Sequence, residues 1–176
     1  MKIKRFAAAI LAAALLALPT GVHAQITDVT IRVDGLSCPF CAYSLEKYLK
    51  AVPGTKEPVI DVKEGLVTLE PTGDEPVRFA ALREAVKKAG FTPRELRAAG
   101  TGRVGTLDEQ RVLLDEEGAP LFILEANDVL AALEVGTIDF TGTIVPRSKG
   151  EETESDQLRT LSLITATPHQ GDGGTP

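Results

Sequence analysis

The sequence is poor in the side chains that most often bind metals or catalyse reactions. Its 176 residues include no tryptophan, one methionine, two histidines and two cysteines. Met1 and His23 fall within the first 24 residues, so His169 is the one histidine in the rest of the chain. A catalytic triad built on histidine is therefore disfavoured, and no Walker loop, zinc-protease motif or nucleophile elbow occurs. Beyond residue 24, two cysteines and one histidine are too few for a closed zinc site with four Cys or His ligands.

Positive charge is also scarce. The chain has 19 Lys and Arg against 25 Asp and Glu, which gives a formal net charge of −6 at pH 7. Binding to a nucleic-acid backbone is driven by Lys and Arg side chains that displace counterions from the phosphates. The charge balance therefore predicts no nucleic-acid partner, whereas an acidic surface suits a cationic cargo.

Long hydrophobic runs are absent, and the one apolar segment lies near the N-terminus. This segment, Phe6–Leu18, is shorter than the ~20 residues that a membrane-spanning helix needs. Basic residues precede it within Met1–Arg5, and a short segment ending at Ala24 follows it, which is the pattern of a signal peptide. We therefore predict a signal peptide at residues 1–24, cleavage near Ala24, and a periplasmic or secreted protein. Cleavage would remove three cations and no carboxylate, which moves the formal charge from −6 to −9.

Residues 27–97 show the alternating strand and helix patterns of a small α+β unit. Val29, Ile31 and Val33 alternate with polar residues, as in a half-buried strand. Two later segments repeat apolar residues at steps of three, four and three, which is the spacing of one helix face. The predicted elements are a strand at 28–33, a helix near 42–52, strands at 59–62 and 66–69, a helix capped by Asp74 and stopped by Gly90, and a strand at 91–96. This order predicts a ferredoxin-like βαββαβ domain.

A change of pattern at Ala98–Gly102 marks the start of a second predicted domain, at residues 101–167. Apolar segments indicate strands near 103–107, 111–114, 120–125, 137–145 and 158–165, with one short helix that is capped by Asn127 or Asp128. Five short strands with this helix between the third and fourth indicate a small all-β barrel, similar in pattern to an oligonucleotide/oligosaccharide-binding (OB) barrel. An irregular β-sandwich is the alternative. Residues 168–176, which are rich in glycine, are predicted to be a disordered tail.

Both cysteines lie in one short segment, Cys38-Pro39-Phe40-Cys41, where the first strand meets the first helix. Thiolates spaced in this way can converge on one ion, and they select soft copper(I), zinc or mercury(II) over hard cations. The N-terminus of the helix stabilises a thiolate, and we expect this effect chiefly at Cys41. Because two ligands suit a two-coordinate ion best, the expected cargo is one copper(I) or mercury(II) ion, with zinc less favoured. An ion held by two ligands stays open to exchange with another pair of cysteines.

The segment from Gly35 to Cys41 resembles the Gly-Met-x-Cys-x-x-Cys motif of the heavy-metal-associated domain family, which includes copper chaperones, metal-transport ATPases and the periplasmic mercury-binding protein. Leu36 replaces the methionine of the motif, and Ser37 replaces the usual threonine. The later Val52-Pro53-Gly54 and Ala89-Gly90-Phe91 also match the family. The resemblance covers about Thr27 to Arg97, which is less than half of the chain beyond residue 24.

The resemblance implies a non-enzymatic carrier that captures a soft ion and passes it to a partner. Cys38 and Cys41 would be the metal ligands, and Gly35, Leu36 and Phe91 would support the loop without ligating. The partner implied is a metal-transporting membrane protein or another carrier with a Cys-x-x-Cys pair.

The same segment also resembles the active-site segment of glutaredoxins, in which Cys-Pro-aromatic-Cys precedes a helix. In that alternative Cys38 would attack a disulfide and Cys41 would resolve the mixed disulfide. Glutaredoxin-like folds need a cis-proline that faces the motif, and neither Pro53 nor Pro93 stands in the expected Val-Pro context after a further β unit. A purely structural disulfide is a weaker alternative, because it would close a very short loop. Outside the cytosol the thiols are exposed to oxidation, so metal loading would need a reductase partner or prompt capture of the ion.

Overall fold

The computed structural model describes residues 25–115, 117–146 and 159–169. The predicted signal peptide lies outside the described residues, as does most of the predicted tail. The described elements are β1 Gln25–Asp34, α1 Pro39–Leu49, β2 Val59–Asp61, β3 Leu66–Leu69, α2 Phe79–Lys88, β4 Thr92–Leu107, β5 Gln110–Leu114, β6 Pro120–Leu124, α3 Asp128–Ala131, β7 Thr137–Ile144 and β8 Arg159–Pro168. None of the described helices has the length and hydropathy that crossing a bilayer requires.

The first unit has the predicted ferredoxin-like order. Its four strands form an antiparallel sheet in the order β2-β3-β1-β4. The alternating β1 residues Val29, Ile31 and Val33 are buried, and so are Leu45 and Leu49 on the inner face of α1. Burial of these apolar faces against one another fixes the loop that joins β1 to α1, which is the segment that carries the cysteines.

The second helix of this unit starts later than predicted, because the proposed cap at Asp74 is wrong. Helix α2 begins at Phe79, and the residue before it, Arg78, makes no side-chain capping bond. The position is set by packing instead, since Leu82 and Val86 are fully buried. Gly90 ends the helix as predicted, with a φ of +91° that a residue with a side chain rarely adopts.

Strand β4 is one continuous strand of 16 residues, where two strands separated by a break at Ala98–Gly102 were predicted. One edge of β4 pairs with β1 up to Thr101 and then with β5 from Arg103 onward. The other edge pairs with β7 from Arg97 to Arg103. A Cβ atom at Gly100 would overlap the carbonyl oxygen of Gln25 in β1. The small side chains that interrupt the apolar pattern are therefore the ones that let neighbouring strands approach this strand closely.

The second unit is a closed five-stranded barrel, as predicted. Its ring runs β4-β5-β6-β8-β7 and returns to β4, with the β6–β8 pair parallel and the other pairs antiparallel. Ile138, Phe140 and Ile144 of β7 all face the buried interior. Each of the five described barrel strands therefore has a partner on both edges. The more specific expectation, that this barrel resembles an OB barrel, stays a prediction.

The two units share one continuous hydrophobic core. The ring of Phe79, at the start of α2, packs on Phe122 of β6 with centroids 5.9 Å apart, and Phe122 in turn contacts Phe140 edge-on at 6.4 Å. The expected domain boundary near residues 97–101 thus lies inside a shared strand and beside a shared aromatic cluster. The division of the chain into two independent domains stays a prediction.

The barrel extends further towards the C-terminus than predicted. Strand β8 continues to Pro168, and the backbone N–H of His169 donates to the carbonyl of Thr137 at 3.0 Å. The His169 ring lies 2.8 Å from a carboxylate oxygen of Asp139, which also accepts a bond from the Thr101 hydroxyl. The Thr101 hydroxyl, followed by His169, holds the pKa of Asp139 below its usual value. The predicted loose tail therefore starts no earlier than residue 170, and residues 170–176 lie outside the described part.

Of the two predicted caps for the short helix α3, the structure selects Asn127. Its side-chain oxygen accepts from the N–H of Leu130 at 2.9 Å, and its amide donates to the carbonyl of Leu163 at 2.9 Å. Asn127→Ala is expected to lower the free energy of unfolding by about 1–2 kcal/mol, because both bonds are lost. Urea denaturation followed by circular dichroism measures this loss. Asp128→Ala, in the same turn, is the control, and an equal loss there would contradict the capping role of Asn127.

Candidate metal centre

The loop between β1 and α1 is shaped by one glycine and one buried leucine. Gly35 follows the end of β1 with a φ of +89°, in the left-handed region that favours glycine. Leu36 is only 5% exposed, so its side chain is buried. Phe91, just before β4, is half-buried, and its ring lies 3.7 Å from the place where a Cβ on Gly35 would sit. The structure thus brings together all three predicted supporting residues, and their effect on metal binding stays a prediction.

The two cysteines converge at the start of α1. Cys38 is the N-cap of the helix in an extended conformation, and Pro39 occupies the first turn, where a missing N–H costs nothing. The Cα atoms of Cys38 and Cys41 are 5.2 Å apart, and their sulfur atoms lie in disulfide-bonding contact. Both side chains are partly exposed. Side chains that reach each other in this way can also face one ion when the sulfurs are reduced.

A backbone N–H group at the N-terminus of α1 contacts the sulfur of Cys38. In the disulfide-bonded pair, the backbone N–H of Cys41 donates to Sγ of Cys38 at 3.2 Å, so this N–H group of the first turn is directed at Cys38. The reason is the N-cap position of Cys38, since a capping side chain points back at the N–H groups of the first turn. The expectation that the helix favours a thiolate at Cys41 concerns the reduced pair, and it stays a prediction.

Two further segments lie at the same end of the sheet as the cysteine loop. The N–H of Val33 donates to the carbonyl of Gly65 at 2.8 Å, which places the turn between β2 and β3 beside the loop. On the other side, Arg94 of β4 donates to the carboxylate of Asp34 at 2.6 Å. Asp34 is therefore engaged in an ion pair. Within the described residues, no cluster of three or more His, Cys, Asp or Glu side chains is found.

The described histidine does not join the cysteines. His169 lies next to Asp139 on the barrel, and it is not part of the loop.

The glutaredoxin alternative requires a cis-proline that faces the cysteines. Pro93 lies in β4 opposite Val33, and the peptide bonds of the described residues are trans. Phe40 and Tyr43, which were not among the predicted site residues, project from the first turns of α1 into solvent. Their spacing of three residues, out of step with the buried Leu45 and Leu49, is the signal that could have identified them.

Comparison with known proteins identifies this unit. Residues 30–92 match the heavy-metal-associated domain family. A copper-exporting P-type ATPase of Mycobacterium tuberculosis is 33% identical over 69 residues, which is 39% of this chain and 9% of the ATPase. The chain therefore spans about a tenth of the length of the curated relative it matches.

Solved structures resemble the same share of the chain. The CopZ metallochaperone covers 39% of this chain with all of its own length, at 18% identity and a TM-score of 0.36. The N-terminal domain of a potential copper-translocating P-type ATPase from Bacillus subtilis, in the Cu(I)-loaded state, covers 40% of this chain with 86% of its own, at 26% identity and a TM-score of 0.35. Residues 30–92 of this protein are a heavy-metal-associated domain, joined through a shared strand to a small β-barrel.

Proposed function

We propose that the protein is a non-enzymatic carrier that binds one copper(I) ion between Cys38 and Cys41 and passes it to another cysteine pair. The observation that supports this proposal is the convergence of the two sulfurs at an exposed end of the heavy-metal-associated domain. Soft thiolates prefer copper(I) to hard cations, and two sulfurs match its low coordination number. Mercury(II) suits the same ligands, whereas zinc would need two further ligands from outside the loop.

The partners that fit this role are a metal-transporting membrane protein or another carrier with a Cys-x-x-Cys pair. An ion with two protein ligands can accept a third sulfur from a partner before the first is released, so exchange needs no free ion. The signal-peptide pattern of residues 1–24 supports export, with function in the periplasm or outside the cell. The acidic charge of the chain suits a cationic cargo.

Export would couple metal binding to the redox state of the pair. The disulfide form has no thiolate to offer, and two electrons and two protons convert it to two thiols. A protein dithiol in the same compartment can supply both, and is itself oxidised to a disulfide. We therefore include a reductase among the proposed partners.

The test is an anaerobic titration of the reduced chain with copper(I) in the presence of a coloured chelator. We expect one ion per chain in the reduced form, and no tight binding when the Cys38–Cys41 pair has first been oxidised to the disulfide. Mercury(II) is expected to show the same stoichiometry. Equal binding by the oxidised and reduced chains would overturn the proposal, because the ion would then be held elsewhere.

The second candidate function is thiol-disulfide exchange by the same pair. It is favoured by the bond from the N–H of Cys41 to Sγ of Cys38, which stabilises the sulfur that would attack and then leave. Reduction of insulin and of glutathione mixed disulfides measures this activity directly. Catalytic turnover by a chain that binds no copper(I) would favour this candidate over the carrier.

A further inference from the structure

The sheet of the first unit has a second face, on the side away from the helices. Helices α1 and α2 pack on the inner face, where Val29 and Ile31 of β1 are fully buried. The alternate β1 residues Asp28, Thr30 and Arg32 therefore point the other way, and they are half-buried or exposed. We call this second face, which β2, β3, β1, β4 and β7 form together, the outer face.

The strand register places one row of residues across the outer face. Thr30, in the middle of the row, lies opposite Thr68 of β3 and Arg97 of β4. Thr68 lies opposite Val59 of β2, and Arg97 lies opposite Thr143 of β7. Val59 is apolar and yet 71% exposed. This central row therefore begins with an apolar side chain that stands in solvent.

The charges of the outer face are nearly balanced, although the formal net charge of the chain is −6. Arg97 donates to Glu95 at 2.8 Å, whereas Arg32 has no hydrogen bond or ion pair with another described residue. Among the carboxylates, Asp28 accepts from the hydroxyl of the preceding residue, and Asp61 accepts from two N–H groups of the turn that follows β2. Two acidic chains can therefore meet at this face with little repulsion.

The charges on β1 are also arranged so that the face is complementary to itself. Asp28 lies two residues before Thr30 and Arg32 two residues after it, so each is about 7 Å from Thr30 along the strand, in opposite directions. A two-fold axis that runs along the central row brings Asp28 of one copy over Arg32 of the other, and the reverse. Such reciprocity is what a two-fold interface requires.

A hollow in the outer face leaves room for side chains of a second copy. Its volume is about 270 Å³, and Asp28 and Glu95 are among the residues that line it. The small side chain of Ala99, opposite Asp28, contributes to this hollow. Because Glu95 and Ala99 are equally far from Arg97 on β4, the same axis places Glu95 of the second copy over Ala99. Each Arg97 then faces its own copy with its charge already balanced by Glu95.

We propose that the outer face is a two-fold interface with a second copy of this chain, in which each Arg32 pairs with Asp28 of the other copy. The inference does not depend on the proposed copper site. The cysteine loop follows the end of β1, so an axis through Thr30 leaves the two loops at opposite ends of the dimer. Both cysteine pairs thus stay accessible, and each copy keeps its own site.

The size of the face sets the strength of the dimer. Five strands about 4.8 Å apart, each contributing about five residues, cover about 400 Å² per copy, or about 800 Å² in total. Stable complexes bury at least about 1,200 Å². We therefore expect a weak dimer, with a Kd on the order of 10–100 µM.

The experiment is sedimentation velocity of the full chain without metal, from about 5 µM to about 1 mM, which spans the expected Kd. The test variant is Arg32→Glu, and the second is the charge exchange Asp28→Arg/Arg32→Glu. The matched control is Lys88→Glu, which makes the same change of charge at an exposed residue of α2, on the helix side of the sheet. Circular dichroism of each variant shows that the fold is kept.

We expect Arg32→Glu to weaken the dimer at least about tenfold, because each introduced carboxylate meets Asp28 of the other copy. The charge exchange should restore the Kd to within about threefold of the parent, and Lys88→Glu should leave it within about twofold. Cys38→Ser/Cys41→Ser should dimerise as the parent does.

A cross-linking measurement tests the position of the axis. Sheets that stack face to face lie about 10 Å apart, so a bismaleimide of about that length should join two Thr30→Cys chains. The Cys38→Ser/Cys41→Ser background removes the native thiols. Lys88→Cys in the same background is the control, and it should be joined far less.

Four results would overturn the inference. The first is a chain that stays monomeric up to about 1 mM, which would leave the outer face to some other partner. The second is an unchanged Kd for Arg32→Glu, and the third is a charge exchange that keeps its fold and restores nothing. The fourth is loss of the dimer in Cys38→Ser/Cys41→Ser, which would assign association to the cysteine loop. Failure of copper(I) binding would refute the proposed carrier function and would leave this interface standing.

Discussion

Replacing Cys38 and Cys41 together by Ser is expected to abolish tight copper(I) binding, with a loss of affinity of at least about 10⁴-fold, since metal–thiolate sites in small proteins bind with free energies on the order of 10 kcal/mol or more. A serine hydroxyl is a hard, protonated oxygen at neutral pH, and it is a poor ligand for a soft ion. Among the described residues, there is no cluster of three or more potential ligands that could bind the ion in place of the cysteines. The loss should therefore be nearly complete.

The single variants distinguish the roles of the two sulfurs. Sγ of Cys38 accepts the N–H of Cys41 in the disulfide-bonded pair, and we expect the same bond to stabilise the Cys38 thiolate in the reduced chain. We expect Cys38→Ser to weaken binding more than Cys41→Ser, and both to weaken it less than the double variant. A copper(I) titration against bathocuproine measures all three affinities at fixed pH.

The control for this series is Ser37→Ala, which changes the residue next to Cys38 without removing a sulfur. It should bind copper(I) within about twofold of the parent, because surface substitutions away from specific contacts have small effects. Circular dichroism of each variant shows that the fold is kept. Binding by the double variant that is as tight as that of the parent would contradict the assignment of both ligands.

The cysteine site could be predicted from the sequence because its geometry is local. A strand ending at Asp34, a glycine, and a helix starting at Pro39 bring the two sulfurs together within four residues, whatever the rest of the chain does. The N-cap position of Cys38 could not be predicted, for an equally local reason. Periodicity places the helix only to within a few residues, and one residue decides whether Cys38 lies inside the helix or caps it.

The path of β4 could not be predicted in this way. Ala98, Gly100 and Gly102 have little or no side chain to alternate between polar and apolar, so the strand pattern vanishes where the two units meet. Their role appears only when β1 and β7 are placed on the two edges of the strand. The start of α2 was mispredicted for a related reason, since burial of Leu82 and Val86, rather than a capping bond at Asp74, fixes that helix.

Gly142→Val is expected to destabilise the protein by about 3 kcal/mol, because it overpacks the closed barrel where no neighbour can move aside cheaply. Gly142 lies in the middle of β7, paired with Ala98 on one side and Leu163 on the other. A Cβ there would lie 2.8 Å from Cγ of Leu161 and 2.8 Å from the carbonyl oxygen of Ser162. Leu161 is fully buried, so its side chain has no free space to enter.

The matched control is Gly136→Val, in the loop just before the same strand. A Cβ at Gly136 would meet no atom within 4 Å, so the added side chain should cost far less. Urea denaturation followed by far-UV circular dichroism measures both variants. Equal urea midpoints for the two variants would mean that the barrel can accommodate a side chain at Gly142, contrary to the packing argument.

Gly142→Val also tests whether the barrel and the metal-binding unit unfold together. The chain has two tyrosines and no tryptophan, and both tyrosines, Tyr43 and Tyr48, lie on α1 in the first unit. Tyrosine fluorescence therefore reports the first unit, whereas far-UV circular dichroism reports the whole chain. Because β4 serves both units and Phe79 of α2 packs on Phe122 of the barrel, we expect Gly142→Val to shift the fluorescence midpoint by as much as the dichroism midpoint. A fluorescence transition that stays at the parent midpoint would show two independent domains. The barrel would then lie beside the proposed copper site without stabilising it.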